Sequence, residues 1–264
     1  MKRLVFLSLV LSIFFSSCDF KKEELYKIET AYGDMIFKLY DATPLHKANF
    51  KKLIEQGYYD DLLFHRVIDG FMIQAGDPNS RNAKAGEFLG EGGPGYTIPA
   101  EFVDSIFHKK GVLAAARQGD ATNPEKRSSG SQFYVVQGKV FNDEDIKKVE
   151  NRINASRLNK LVKKYIDQAK NKAFETGSIV DYETILPKAR KQAKEEFNKE
   201  GLFKIPAERK KVYKTIGGTP HLDDAYTVFG EVVKGLEVLD KIAAVQTDKN
   251  NRPLNDVKFR IKKL

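Results

Sequence analysis

Phe64-His65-Arg66-Val67-Ile68 and, one residue on, Gly70-Phe71-Met72-Ile73-Gln74-Ala75-Gly76-Asp77 form the stretch whose reading decides the fold. Each run is mostly apolar, and the Asp69-Gly70 step between them has the composition of a hairpin turn. Two antiparallel strands joined there bring Arg66, Phe71, Met72 and Gln74 near one another on one side. An always-charged fork of donors then sits beside apolar side chains and an amide. His65 points to the opposite face of its strand and reads as structural.

Working outward, the same short-strand pattern recurs. Tyr26–Thr30 and Met35–Leu39, separated by Tyr32-Gly33-Asp34, read as two strands and a tight turn. Further strand-like runs are Gly111–Ala116, Phe133–Gln137, Thr227–Val232 and Val257–Ile261. Pro44 to Gln56 carries apolar residues at Leu45, Ala48, Phe50, Leu53 and Ile54, a helical spacing that Gly57 ends. Many short strands with Gly-rich turns predict a barrel or a sandwich.

Between Val140 and Thr215 the period changes. Ile146, Val149, Ile153, Leu161, Val162, Tyr165, Ile166 and Ala169 recur at helical spacing, and a second helical stretch follows from about Tyr182 to Glu200. Residues 142–214 hold 19 Lys and Arg against 12 Asp and Glu, so most of the formal charge of +9 lies in this insertion. Its plain reading is a helical pair with a solvated outer face, and its sharper one a docking surface for a membrane or an acidic partner.

Several chemistries are excluded. No stretch interleaves clustered cations with aromatics as single-strand nucleic-acid sites do. The four histidines, His46, His65, His108 and His221, are scattered without zinc-ligand spacing, so no metal is expected. Phosphate-loop and Gly-x-Ser-x-Gly patterns are missing, and Gly90 to Gly95 reads as a turn-rich surface loop.

At the N-terminus Lys2 and Arg3 precede an apolar run from Leu4 to Phe15, too short to span a bilayer and of the length of an export signal. It leads into Phe15-Ser16-Ser17-Cys18, whose cysteine is the only one in the chain. This arrangement resembles a bacterial lipoprotein signal, which implies residues 1–18 as a signal peptide, lipidation of Cys18 and a tether over 19–24. The alternative is an ordinary secretory signal or an uncleaved anchor. An exported, membrane-anchored protein is the expectation, on the periplasmic side or at the cell surface.

The opening stretch, together with Gly111-Val112-Leu113-Ala114-Ala115-Ala116-Arg117, Ser129-Gly130-Ser131-Gln132-Phe133-Tyr134-Val135-Val136 and His221-Leu222-Asp223-Asp224-Ala225-Tyr226-Thr227-Val228-Phe229-Gly230, resembles the cyclophilin family of peptidyl-prolyl cis/trans isomerases. Four blocks in family order cover about Leu25 to Val140 and Thr215 to the C-terminus, and leave the helical insertion unmatched. The resemblance implies a mainly β fold over residues 25–264: a closed antiparallel barrel capped by helices, with the α-helical insertion at about 142–214. It implies Arg66 and Gln74 as catalytic residues, with Gln74 holding the substrate carbonyl. Phe71, Met72, Phe133 and Leu222 would form the apolar pocket for the proline ring, with Tyr134 beside it. Ala116, Arg117, Gln132 and Tyr226 complete the implied substrate-binding set.

The chemistry suits these residue types. Rotation about an X-Pro bond must break amide resonance, against a barrier of about 18–20 kcal/mol. In the twisted transition state the proline nitrogen regains a lone pair, which a fixed guanidinium can hydrogen-bond and which the planar ground state withholds. No bond is made or broken, so no cofactor is needed. The partners would be proline-containing segments of exported proteins and, through the anchor, a membrane; no nucleic acid is expected.

Three departures from the family pattern bear on selectivity. His221 stands where many members have Trp, Tyr226 where many have His, and Arg117 where many have Asn. Weak binding of the family's cyclic immunosuppressant is expected. The rival reading is a non-catalytic peptide-binding or holdase module that works through the helical insertion.

Overall fold

The computed structural model describes residues 23–264. The signal segment, Cys18 and the tether up to residue 22 lie outside the described residues. In chain order the strands are β1 (Leu25–Thr30), β2 (Gly33–Leu39), β3 (Leu62–Leu63), β4 (Arg66–Ile68), β5 (Met72–Ala75), β6 (Thr97–Ile98), β7 (Val112–Ala115), β8 (Ser128–Ser129), β9 (Phe133–Val136), β10 (Val228–Lys234) and β11 (Lys258–Lys263). The helices are α1 (Pro44–Glu55), α2 (Asp143–Glu175), α3 (Tyr182–Glu200), α4 (Ala207–Thr215) and α5 (Leu236–Ala243).

Nine strands form one antiparallel sheet in the order β3-β11-β1-β2-β10-β7-β9-β5-β4, and β6 pairs with β8 apart from it. The order explains how the sheet curls into the expected barrel. Its two edge strands, β3 and β4, are successive pieces of one stretch of chain, parted only by Phe64 and His65. The Phe64 N–H donates to the Val257 carbonyl and the Val67 N–H to the Asn251 carbonyl, so backbone bonds continue across that break. Closure at this seam is made by chain continuity rather than by a ladder. The hairpin between β4 and β5 turns at Gly70, whose φ of +70° suits a residue without a side chain.

Side chains alternate across the sheet. Inward go Val67 from β4, Ile73 and Ala75 from β5, Leu113 and Ala115 from β7, and Phe133 and Val135 from β9, joining Phe37, Phe50, Phe229 and Phe259 in the main core. Aromatic rings fill its centre: Phe50 lies 5.1 Å from Phe133 and 5.0 Å from Phe229 between ring centroids. Helix α1 buries His46, Phe50, Leu53 and Ile54, and α5 buries Val238, Leu239, Ile242 and Ala243, so an apolar stripe on each covers the barrel. Outward go Met72, Val112, Ala114, Tyr134 and Val136, which build a second apolar cluster with Ala116 and Val228.

Three helices occupy the chain between β9 and β10. Asn142 caps α2 in a capping box with Asp145, satisfying donors at the helix start. At 33 residues α2 runs for about 50 Å. It is fastened to the barrel at its base, where Phe141, Ile146, Ile205 and Tyr213 form a small separate core. Buried Glu150 locks that base, accepting from the Ile205 N–H and pairing with Lys204 and Lys210. Among the described residues no helix is long and apolar enough to cross a membrane.

Candidate active site

Arg66 of β4 and Gln74 of β5 are directly opposed, and Gln74 is opposed in turn by Tyr134 of β9 and Tyr134 by Ala114 of β7. One row of outward positions therefore crosses four strands. At its end the Arg66 Nη1 donates to the Gln74 Oε1 at 3.2 Å and lies 3.9 Å from the Met72 sulfur. The guanidinium is half-buried, and burial lowers its pKa from the usual value, opposed only by Tyr226. A cation desolvated without a carboxylate partner keeps donors for something else. Gln74 is itself held: its Nε2 donates to the Gln132 Oε1 at 3.0 Å, which leaves the second N–H of that amide to point elsewhere.

Beside this pair lies a hollow of about 120 Å³ lined by Arg66, Phe71, Met72, Gln74, Ala116, Arg117, Tyr134, Leu222 and Tyr226. Nine of the residues singled out from the sequence thus converge on one small surface. Phe71 stands at the hairpin end, its ring stacked on His221 at 5.5 Å, so the imidazole covers the outer side of this wall. The Arg117 guanidinium lies 4.5 Å from the Tyr226 ring centre and donates to the carbonyls of Ala225 and Gln118 and to Asp120. With Nε, Nη1 and Nη2 each holding one of these partners, Arg117 is fixed in place as a wall of the hollow, with one N–H left on each of Nη1 and Nη2.

A second, larger trough of about 960 Å³ adjoins the hollow and shares Gln74, Ala116 and Arg117 with it. Gln132 lies at the junction and donates through Nε2 to the carbonyls of Gly90 and Gly92, tying the outward row to the glycine loop. That loop is the surface loop its composition suggested, and it also forms a wall of the trough. Buried Asp77 holds it by accepting the N–H groups of Gly90 and Gly92. A Cβ at Gly92 would stand 2.1 Å from the Asp77 carboxylate, so the residue must be glycine. Tyr96, Asn123 and Arg127, which also line the trough, carried no sequence signal.

One expected pocket residue is not there. Phe133 is 1% exposed and belongs to the barrel core, packed edge-on to Phe50 and Tyr59. Strand alternation turns it away from the hollow, and Tyr134 takes the place beside the row instead. His65 is buried, and burial, opposed by Asp77, pushes its pKa down to about 4. Among the described residues no group of three or more His, Cys, Asp or Glu side chains converges as a metal site would require.

Comparison with known proteins adds the family. The sequence profile described as cyclophilin type peptidyl-prolyl cis-trans isomerase/CLD matches residues 25–148 and 146–263. A Streptococcus pyogenes protein, provisionally named a bifunctional phosphatase/peptidyl-prolyl cis-trans isomerase, is 32% identical over 233 residues; these are 87% of this chain but 36% of that longer protein. A Staphylococcus haemolyticus protein, provisionally named a peptidyl-prolyl cis-trans isomerase, is 31% identical over 231 residues, 87% of this chain and 85% of the relative. Among solved structures, a Cryptosporidium parvum cyclophilin type peptidyl-prolyl cis-trans isomerase superposes with a TM-score of 0.55 at 20% identity, over 92% of this chain and 98% of that one. That last likeness concerns the fold. Profile, relatives and barrel agree, and the chain belongs to the cyclophilin-type peptidyl-prolyl cis-trans isomerase family.

Proposed function

We propose that this isomerase turns X-Pro bonds in the hollow beside β4 and β5, with Arg66 as its principal catalytic residue. The observation that carries the reading is the half-buried Arg66 guanidinium, braced by Gln74 at 3.2 Å and set at the rim of a hollow that also presents Phe71, Met72, Tyr134 and Leu222. The proline ring enters between Phe71, Met72, Tyr134 and Leu222. As the bond twists, the nitrogen lone pair localises and meets an Arg66 N–H, an interaction the planar amide cannot make. The second N–H of the Gln74 amide donates to the substrate carbonyl. Lowering the barrier by about 7 kcal/mol would raise the rate by about five decades, which requires this bond together with desolvation and anchoring of the peptide. The adjoining trough gives the chain next to proline a place to lie.

The substrates we assign are proline-containing segments of exported proteins whose X-Pro bonds limit folding. The apolar run from Leu4 to Phe15 and the lone Cys18 support export and lipid anchoring at a membrane. A second reading, a holdase or peptide-binding module, draws on Phe174 and Ile179, which are 89% and 93% exposed at the far end of the α2–α3 hairpin.

The test is isomerisation of a short X-Pro peptide by residues 19–264, compared with Arg66→Ala. The expected fall in kcat/KM is about 10²- to 10³-fold, the usual cost of removing one transition-state donor. Thermal unfolding should be unchanged. Absence of turnover by the folded wild-type protein would move the assignment to the binding module.

A further inference from the structure

Among the four side chains that would receive the proline ring, Phe71, Met72, Tyr134 and Leu222, only Tyr134 carries a hydroxyl. The residue is 4% exposed, and burial pushes its phenol pKa well up, so the O–H keeps its proton and needs an acceptor. His108, itself 1% exposed, supplies one: its Nε2 lies 3.1 Å from the Tyr134 oxygen, and the two rings stack at 6.2 Å. On the other side of the imidazole, Nδ1 lies 3.1 Å from the Asp223 Oδ1. A carboxylate only accepts, so Nδ1 carries a proton towards Asp223, and in the neutral imidazole Nε2 presents its lone pair to Tyr134. Asp223 is fixed in turn by the helical insertion. The Tyr213 hydroxyl donates to its Oδ2 at 2.7 Å, and the Arg209 Nη1 approaches at 3.4 Å, both from α4.

We propose that His108 is a positioning residue for the proline hollow and that α4 completes the relay: Tyr213 and Arg209 hold Asp223, Asp223 orients His108, and His108 draws the Tyr134 hydroxyl away from the substrate. Tyr134 then meets proline with its ring face alone. This inference rests on the isomerase reading of the hollow. It makes the insertion part of the binding surface and not an appendage beside it.

The test is a cycle of His108→Leu, Tyr134→Phe and the double variant in the full chain, assayed in detergent on a short X-Pro peptide with kcat and KM resolved. With tyrosine present, His108→Leu leaves a buried hydroxyl without an acceptor, and KM should rise about tenfold. In the Tyr134→Phe background the same substitution should leave KM where Tyr134→Phe alone puts it. An equal rise in both backgrounds would assign His108 a purely structural role and overturn the relay. If His108→Leu does not fold, Tyr213→Phe replaces it; a rise in KM of about threefold, smaller than for His108→Leu because Arg209 still holds the Asp223 carboxylate, is expected with tyrosine and none in the Tyr134→Phe background. Should the wild-type chain show no turnover, the isomerase reading fails by itself, and peptide affinity read through the same cycle still decides the relay.

Discussion

Phe133 and Tyr134 are neighbours in the chain, both aromatic and both nearly sealed from solvent, yet they serve different parts of the molecule. The first is enclosed by rings in the barrel core, and the second forms the floor of the hollow. His65 and Arg66 also differ, one buried in the break between β3 and β4 and the other at the rim of the cleft. The contrast teaches that strand alternation separates stability from chemistry at single-residue resolution. Substitutions on one face should move unfolding, and those on the other should move turnover.

The largest expected effect lies on the inner face. Phe133→Ala removes a ring packed against Phe50 and Tyr59 and should cost about 3–5 kcal/mol in denaturant unfolding, while the fraction that remains folded keeps its KM. A changed KM at temperatures where the variant is folded would show that the two faces are coupled. Arg66→Ala is its mirror image, with turnover lost and unfolding unmoved.

The pair His65 and Arg66 sharpens the contrast through pH. His65 titrates at about 4 in the folded protein against 6.5 ordinarily. As pH falls below 6.5 the unfolded chain takes up the proton first, so stability is full above that value and declines towards pH 4. Folding should weaken by about 1–2 kcal/mol between pH 7 and 5, and His65→Gln should flatten that slope. His46 and His221, also lowered by burial, retain the remainder of it. Unfolding curves at the two pH values check this. An unchanged slope in the variant would remove His65 from the account.

The smallest effect concerns another contact of the insertion. Lys160 of α2 pairs with Asp120, which also holds Arg117, and both partners of the first pair are well exposed. Lys160→Ala should therefore change stability by less than about 1 kcal/mol and leave KM within about twofold. A larger shift would mean that α2 supports the hollow as strongly as α4 does.

Much of this was readable beforehand, for identifiable reasons. The hairpin at Asp69-Gly70 declares itself by turn composition, and the helical residues after Asn142 by an apolar period amid charges. What misled was Phe133-Tyr134-Val135-Val136, four apolar residues with no polar position to set the phase of the strand. Because the core lies on one side of β9 and the apolar cluster on the other, both faces select hydrophobic residues, and sequence cannot say which aromatic faces out. His108 escaped for a different reason: histidines were weighed against one another, whereas its partners are Tyr134 and Asp223, brought together only by the fold. The role of the Gly90–Gly95 loop depends on a carboxylate thirteen residues upstream of Gly90, at Asp77, a pairing no local pattern announces.

The seam at β3 and β4 has a consequence for an enzyme that meets unfinished chains. An extended client can add itself as a further strand wherever a sheet offers a long row of unpaired backbone groups, and such capture leads to aggregation. Here the terminal strands of the nine-stranded sheet are two and three residues long, and Phe64 between them and Val67 within β4 are already bonded to Val257 and Asn251. The nine-stranded sheet thereby offers an extended chain scarcely any backbone template that would hold it.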